Sequence, residues 1–202
     1  MARLEVVTGP MFAGKSKELL RRLERAAHAN RGILLIRPST DNRDTRNIFD
    51  FAETDKKLKD YERLFIRTLN HAKELRAMVN SVKPDILAID EGQFFDKEDG
   101  QGILEFIEEL LEKMKSKNFT IIVAGLDMDY RHRPFGIMPQ LMAMADEVLK
   151  LTAICFVCRD EYGPAIFTQR KGGSGKQVEV GDIGLYEARC RACYTIPQNG
   201  SA

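Results

Sequence analysis

Runs of Val, Ile and Leu of strand length recur along the chain with little alternation, at Leu4–Val7, Ile33–Ile36, Asp85–Asp90, Thr120–Ala124 and Glu147–Ile154. A strand with one wet face alternates polar and apolar residues, whereas a strand covered on both faces does not. These runs therefore predict a buried parallel sheet. Helical patterns fall between them, at Lys15–Asn30, Leu69–Val82, Gly102–Lys117 and Met138–Ala145. In the third, Ile103, Leu104, Phe106, Ile107, Leu110, Leu111 and Met114 form one broad apolar face. The Met-rich PQLMAMA stretch reads as core filler. Strands alternating with helices predict an α/β fold with right-handed crossovers, whose ligands sit at the carboxyl ends of the strands.

Two regions break the pattern. Ser39–Arg63 is polar and charged, and reads either as a loop that orders on ligand binding or as a solvated connection. After Ile154 come short β-like pieces, Ala165–Gln169 and Gln177–Val180, joined through a glycine-rich turn and flanked by cysteine pairs.

Chemistry enters first at the end of the first strand. Gly9-Pro10-Met11-Phe12-Ala13-Gly14-Lys15-Ser16 fits the phosphate-loop pattern G-x-x-x-x-G-K-[ST]. Glycines let backbone N–H groups turn inward on phosphate oxygens, Lys15 adds a point charge, and the Ser16 hydroxyl suits Mg²⁺. A helix starting near Lys15 adds its positive end. Asp90 and Glu91, in "ILAIDEGQFF", end a buried strand. Asp90 is placed to orient a Mg²⁺ shell, and Glu91 to take the proton of an attacking hydroxyl, either water or a substrate alcohol.

All four cysteines fall in two C-x-x-C pairs, Cys155/Cys158 and Cys190/Cys193. This spacing predicts a closed, structural Cys₄ zinc site, with redox pairs as the alternative. His28, His71 and His132 are scattered and are read as ordinary surface or core residues.

Composition narrows the classes. The 202 residues carry a formal charge of +1, which gives no footprint for wholesale nucleic-acid binding. A nucleic-acid-binding zinc ribbon would rest only on the cysteine pairs and the basic run Arg170–Lys176. No apolar run of membrane-spanning length occurs, and the N-terminal segment has no signal-like apolar region. The expectation is an intracellular, cytoplasmic protein acting without membrane or nucleic acid.

The order of motifs resembles the zinc-containing, type II thymidine kinases. The stretches that carry the likeness are "GPMFAGKS", "DEGQFF", "AGLDMDYRHRPFG", "ADEVLKLTAICFVC", "AIFTQR" and "YEARCRACY", running from Leu4 to Tyr194. The resemblance implies a RecA-like parallel sheet flanked by helices, carrying a small zinc-ribbon-like lasso subdomain. On this chain that implies a phosphate-loop ATP-binding domain at 1–150, a zinc-binding lasso at 151–194 and a flexible tail at 195–202. It implies transfer of the ATP γ-phosphate to the 5′-hydroxyl of thymidine, and of deoxyuridine, in pyrimidine salvage. A homotetramer inhibited by thymidine triphosphate goes with it. Glu91 becomes the base, and Asp41 and Arg43 assist at the phosphates. Met11, Gln93, Phe94, Leu126, Tyr130, Phe135, Thr168 and Tyr186 enclose the nucleoside.

The chain departs from that family's usual pattern in four places. Lys17 replaces a threonine, Asp44 replaces the tyrosine after Arg43, the Thr-His-Asp signature is replaced by "IFDFAETDKK", and Tyr130 replaces a phenylalanine. The first three lie on the phosphate side, so a nucleotide-binding regulator or an ATPase without nucleoside kinase activity is the alternative reading.

Overall fold

The computed structural model describes residues 1–38, 52, 55, 58–69, 71–95, 97–172 and 185–196, without the side chains of 97–101. Its main sheet is built from β1 (Arg3–Thr8), β2 (Ile33–Pro38), β3 (Leu64–Leu69), β4 (Ile86–Ile89), β5 (Thr120–Gly125) and β6 (Glu147–Lys150). They lie in the order β3-β2-β4-β5-β1-β6, and every pairing is parallel. The helices are α1 (Lys15–His28), α2 (Ala72–Val82), α3 (Lys97–Lys113) and α4 (Met138–Met144).

The missing alternation has a direct cause. Leu4, Val6, Leu34, Ile36, Leu87, Ile89, Ile121 and Val123 pack on one face with Leu75 of α2, Ile103 and Ile107 of α3, and Met138 and Leu141 of α4. Their neighbours Val7, Ile33, Leu35, Ile86, Ala88, Ile122 and Ala124 pack on the other face with Leu19, Leu23 and Ala26 of α1. Leu19 and Leu23 are wholly buried, each contributing about 2–3 kcal/mol of apolar burial. The PQLMAMA segment packs on the core, as its composition suggests: Leu141 is inaccessible, and Met142, Met144 and Ala145 lie partly buried against it.

Some boundaries differ from the pattern. β3 lies where no strand was expected, and Leu69 ends that strand instead of opening α2. β3 and β6 are the sheet's two edges, both with mostly exposed or half-buried side chains; β3 carries no continuous apolar run, and the run at Glu147–Ile154, expected to be covered on both faces, is not. β6 stops at Lys150; the Leu151 amide donates to the Thr8 carbonyl, and Ala153 then bridges antiparallel to Ala165. That departure leads into a two-stranded antiparallel ribbon, β7 (Phe167–Arg170) and β8 (Tyr186–Arg189). The expected piece Gln177–Val180 lies outside the described residues, and Tyr186–Arg189 is the partner strand observed.

Candidate active site

The phosphate loop joins β1 to α1 at the carboxyl edge of the sheet. Gly9 has φ of 137°, and a Cβ there would meet the Leu151 carbonyl oxygen at 2.3 Å, so only glycine lets β1 turn beside the chain leaving β6. Gly14 caps α1 with no side-chain hydrogen bond. The first amides of α1 are thus the kind of donor set an anion satisfies. Lys15 is 8% exposed, and its Nζ donates to the Pro10 carbonyl at 2.9 Å, folding the ammonium back over its own loop.

β4 delivers the carboxylates from two strands away, with β5 between β4 and β1. The Ser16 hydroxyl donates to Asp90 Oδ2 at 3.2 Å, joining the two loops. Burial, together with the nearby Glu91 charge, pushes the Asp90 carboxyl up to about 7, although Lys15 and Ser16 pull the other way. Hydroxyl and carboxylate oxygens are the hard donors that magnesium takes.

Glu91 takes a left-handed backbone with φ of 54° at the entry to a 3₁₀ turn, Gly92–Phe94. This costs a non-glycine residue about 1–2 kcal/mol, and such strain is concentrated at functional sites. Gln93 holds the carboxylate: its Nε2 donates to Glu91 Oε2, while its Oε1 accepts the Leu126 amide at 2.9 Å. Glu91 lines a cleft of about 340 Å³ with Met11, Phe12, Gly14, Lys15, Ser16, Lys17 and Leu126. The departure residue Lys17 therefore faces the same space as the phosphate loop.

Beside this cleft, Met11, Leu126, Tyr130, Phe135 and Tyr186 form one buried apolar cluster, with Phe94 and Leu185 packed on it. Phe94 and Phe135 meet edge to face, 5.8 Å between centroids. Gly136 lets the loop after β5 pass against Gln93; its φ is 54°, and a Cβ would lie 2.3 Å from the Gln93 carbonyl oxygen. Six of the nucleoside-side candidates thus share one cluster. The other two are polar: Gln93 acts as described, and the Thr168 hydroxyl accepts the Met11 amide at 3.0 Å. Asp41 and Arg43 lie outside the described residues.

The four cysteine sulfurs lie within 4.8 Å of one another. The Cys158 and Cys190 sulfurs are 3.7 Å apart. Tetrahedral thiolates at the usual zinc–sulfur distance are separated by about 3.8 Å, so the cluster fits that ion. Burial opposes ionisation at Cys155, yet the amides of Cys158, Cys190 and Val157 bring its thiol down to about 6. Desolvation and hydrogen bonds to the other sulfurs push Cys193 up to about 12. The knuckle packs directly on the phosphate loop through Ala13, and Phe12 and Phe156 meet at 5.4 Å.

Some participants carried no sequence signal. The Thr8 hydroxyl donates to the Gly125 carbonyl at 2.9 Å, tying β1 to β5 at the site's floor. Asp127, buried after β5, pairs with Lys150 at 2.6 Å. Only the three-dimensional neighbourhood of the strand ends brings these pairs together.

Among the described residues no helix is long and apolar enough to cross a membrane. A family model described as thymidine kinase matches residues 2–194. A protein named thymidine kinase from Mesomycoplasma hyopneumoniae is 37% identical over 193 residues, covering 96% of this chain and 95% of the relative. Proteins of the same name from Mycoplasma mobile and Bacteroides thetaiotaomicron are 37% and 36% identical, each alignment covering 95% of this chain and 86% of the relative. With a phosphate loop, a carboxylate pair and an apolar cluster meeting at one edge of the sheet, the chain belongs to the thymidine kinase family.

Proposed function

We propose that this chain transfers the γ-phosphoryl group of ATP to the 5′-hydroxyl of thymidine, and of deoxyuridine. The observation that carries this reading is the position of Glu91, in one cleft with Lys15 and Ser16 and beside the apolar cluster of Met11, Leu126 and Phe135. The α1 amides and Lys15 take the phosphates, and the aromatic cluster takes the base. Glu91 accepts the 5′-hydroxyl proton as the new O–P bond forms and the β–γ bridging bond breaks, releasing ADP. The bond from Gln93 fixes the orientation of the Glu91 carboxylate. A magnesium ion held by Ser16 and Asp90 supplies positive charge against the phosphates. A zinc ion held by Cys155, Cys158, Cys190 and Cys193 is structural, anchoring residues 151–194 as a lasso-bearing unit on the 1–150 ATP-binding body. The family likeness extends the reading to a cytosolic homotetramer inhibited by thymidine triphosphate, with Asp41 and Arg43 assisting at the phosphates.

The test is product formation from labelled thymidine with ATP and Mg²⁺, wild type beside Glu91→Ala. Thymidine monophosphate is expected from the wild type, with a loss of about 10²–10⁴-fold in the variant. Failure of the wild type to phosphorylate any pyrimidine deoxynucleoside would sink the proposal. ATP turnover insensitive to thymidine would then favour the regulator or ATPase reading, to which Lys17 in the cleft lends its one structural support.

A further inference from the structure

Tyr130 lies in the loop between β5 and α4, and Arg170 is the last residue of β7. Arg170 Nη2 donates to the Tyr130 hydroxyl at 2.9 Å, and the guanidinium carbon lies 3.7 Å from the ring centroid. One pair thus combines a charge-assisted hydrogen bond with a cation–π contact. The backbone of Tyr130 is held from the same quarter, its carbonyl accepting the Tyr194 hydroxyl at 2.9 Å. Tyr194 in turn stacks on Phe167 of β7, 4.5 Å between centroids. Tyr130 is 4% exposed within the apolar cluster, so its hydroxyl needs a partner that a phenylalanine would not. In the ribbon ladder Arg170 stands opposite Tyr186, a second member of that cluster.

We propose that Arg170 is a positioning residue for the nucleoside pocket. It holds Tyr130 by face and hydroxyl while its strand pairs with Tyr186, so two aromatic walls of the pocket are set by one residue of the ribbon. Pocket geometry then follows the ribbon, and with it the zinc knuckle. The inference rests on the nucleoside kinase reading above.

The experiment is steady-state kinetics on the full chain, varying thymidine and ATP separately, for wild type, Tyr130→Phe, Arg170→Lys, Arg170→Met and the double variant Tyr130→Phe/Arg170→Met, each checked for folding by its melting temperature. Arg170→Met is expected to raise the thymidine KM about five- to tenfold and the ATP KM by less than about twofold. Tyr130→Phe should raise the thymidine KM about threefold, and Arg170→Lys should recover part of the loss by keeping the charge. The double variant should be no worse than Arg170→Met, because both changes remove the same contact. An unchanged thymidine KM in the single variants, effects that multiply in the double variant, or thymidine and ATP KM rising in parallel would each overturn the inference. A wild type that forms no nucleoside monophosphate overturns the function and the inference together, and is recognised before any variant is compared.

Discussion

The Met11 amide donates to the Thr168 hydroxyl across 157 residues of sequence, at 3.0 Å and out of contact with water. One hydrogen bond thus joins the phosphate loop to the middle of the ribbon that the cysteine knuckle anchors. Thr168→Val keeps the shape and removes the acceptor, leaving a buried N–H unpaired at a cost of about 1–3 kcal/mol. Because Met11 borders both the cleft and the apolar cluster, the KM values for ATP and thymidine should both rise, with Thr168→Ser near wild type. A Thr168→Val enzyme with wild-type KM for both substrates would show that the loop holds its shape without the ribbon.

The same joint changes what zinc removal should do. Four cysteine sulfurs within 4.8 Å of one another would close one tetrahedral shell, so metal analysis should find about one zinc per chain. A lasso acting only on the nucleoside would make thymidine affinity suffer first. The knuckle, however, packs on Ala13 of the phosphate loop and sets its own Phe156 against Phe12 of that loop. Chelation, or Cys190→Ser, is therefore expected to weaken ATP and thymidine together. A loss confined to thymidine, read by calorimetric titration of each ligand, would mean that the loop is rigid by itself.

How much of this was legible depends on whether the signal was local. The buried strands announced themselves because both faces are covered, as Val6 and Val7 show by packing into different cores. The phosphate loop and the cysteine pairs are short motifs whose spacing is their geometry. β3 was missed because an edge strand with Phe65 and Arg67 exposed has no continuous apolar run. The Arg170–Tyr130 and Asp127–Lys150 pairs left no trace, because contacts between a loop and the end of a distant strand are set by tertiary packing. Tyr130 stands out in the sequence as a departure from the family pattern, but nothing there points to Arg170 as the partner of its hydroxyl. The roles expected of Asp41 and Arg43 fall outside the described residues.

Asp90 carries a pH signature. Its carboxyl is raised from 3.8 to about 7, first by burial and then by the Glu91 charge. Between those two values the native protein holds a proton that the unfolded chain has released, so this group's contribution to stability falls as pH rises through that window and stays low above it. Asp90→Asn removes the charge and keeps an oxygen for Ser16 to bond. The ligand-free variant should melt several degrees above wild type at pH 8 and near wild type at pH 4, while losing kinase activity. A variant less stable than wild type at pH 8 would mean that Lys15 and Ser16 stabilise the ionised form more than burial opposes it.

Far from the site, Arg22 holds the opposite end of the sheet. Its guanidinium, 12% exposed, bonds Glu5 of β1, Glu18 one turn earlier in α1 at 2.9 Å and Glu147 of β6 at 2.7 Å. Glu5 is nearly buried, with Arg3 as its other cation at 2.7 Å. Hydrogen bonding from Arg21, and after it from Arg22, holds the Glu18 carboxyl down at about 2 against the effect of burial. A depressed acid contributes stability above its unfolded value of 4.5 and loses it as pH falls toward 2. Arg22→Met should therefore cost roughly 3 kcal/mol near neutrality by leaving Glu5 short of a partner, or about 6–12 °C in Tm for a chain of this size. The gap from wild type should narrow as the pH falls from about 4.5 toward 2 and Glu18 loses its charge. A pH-independent gap would assign the loss to the packing of the Arg22 stem along α1 instead, and a shift below about 2 °C would make the cluster no stronger than a solvated surface network.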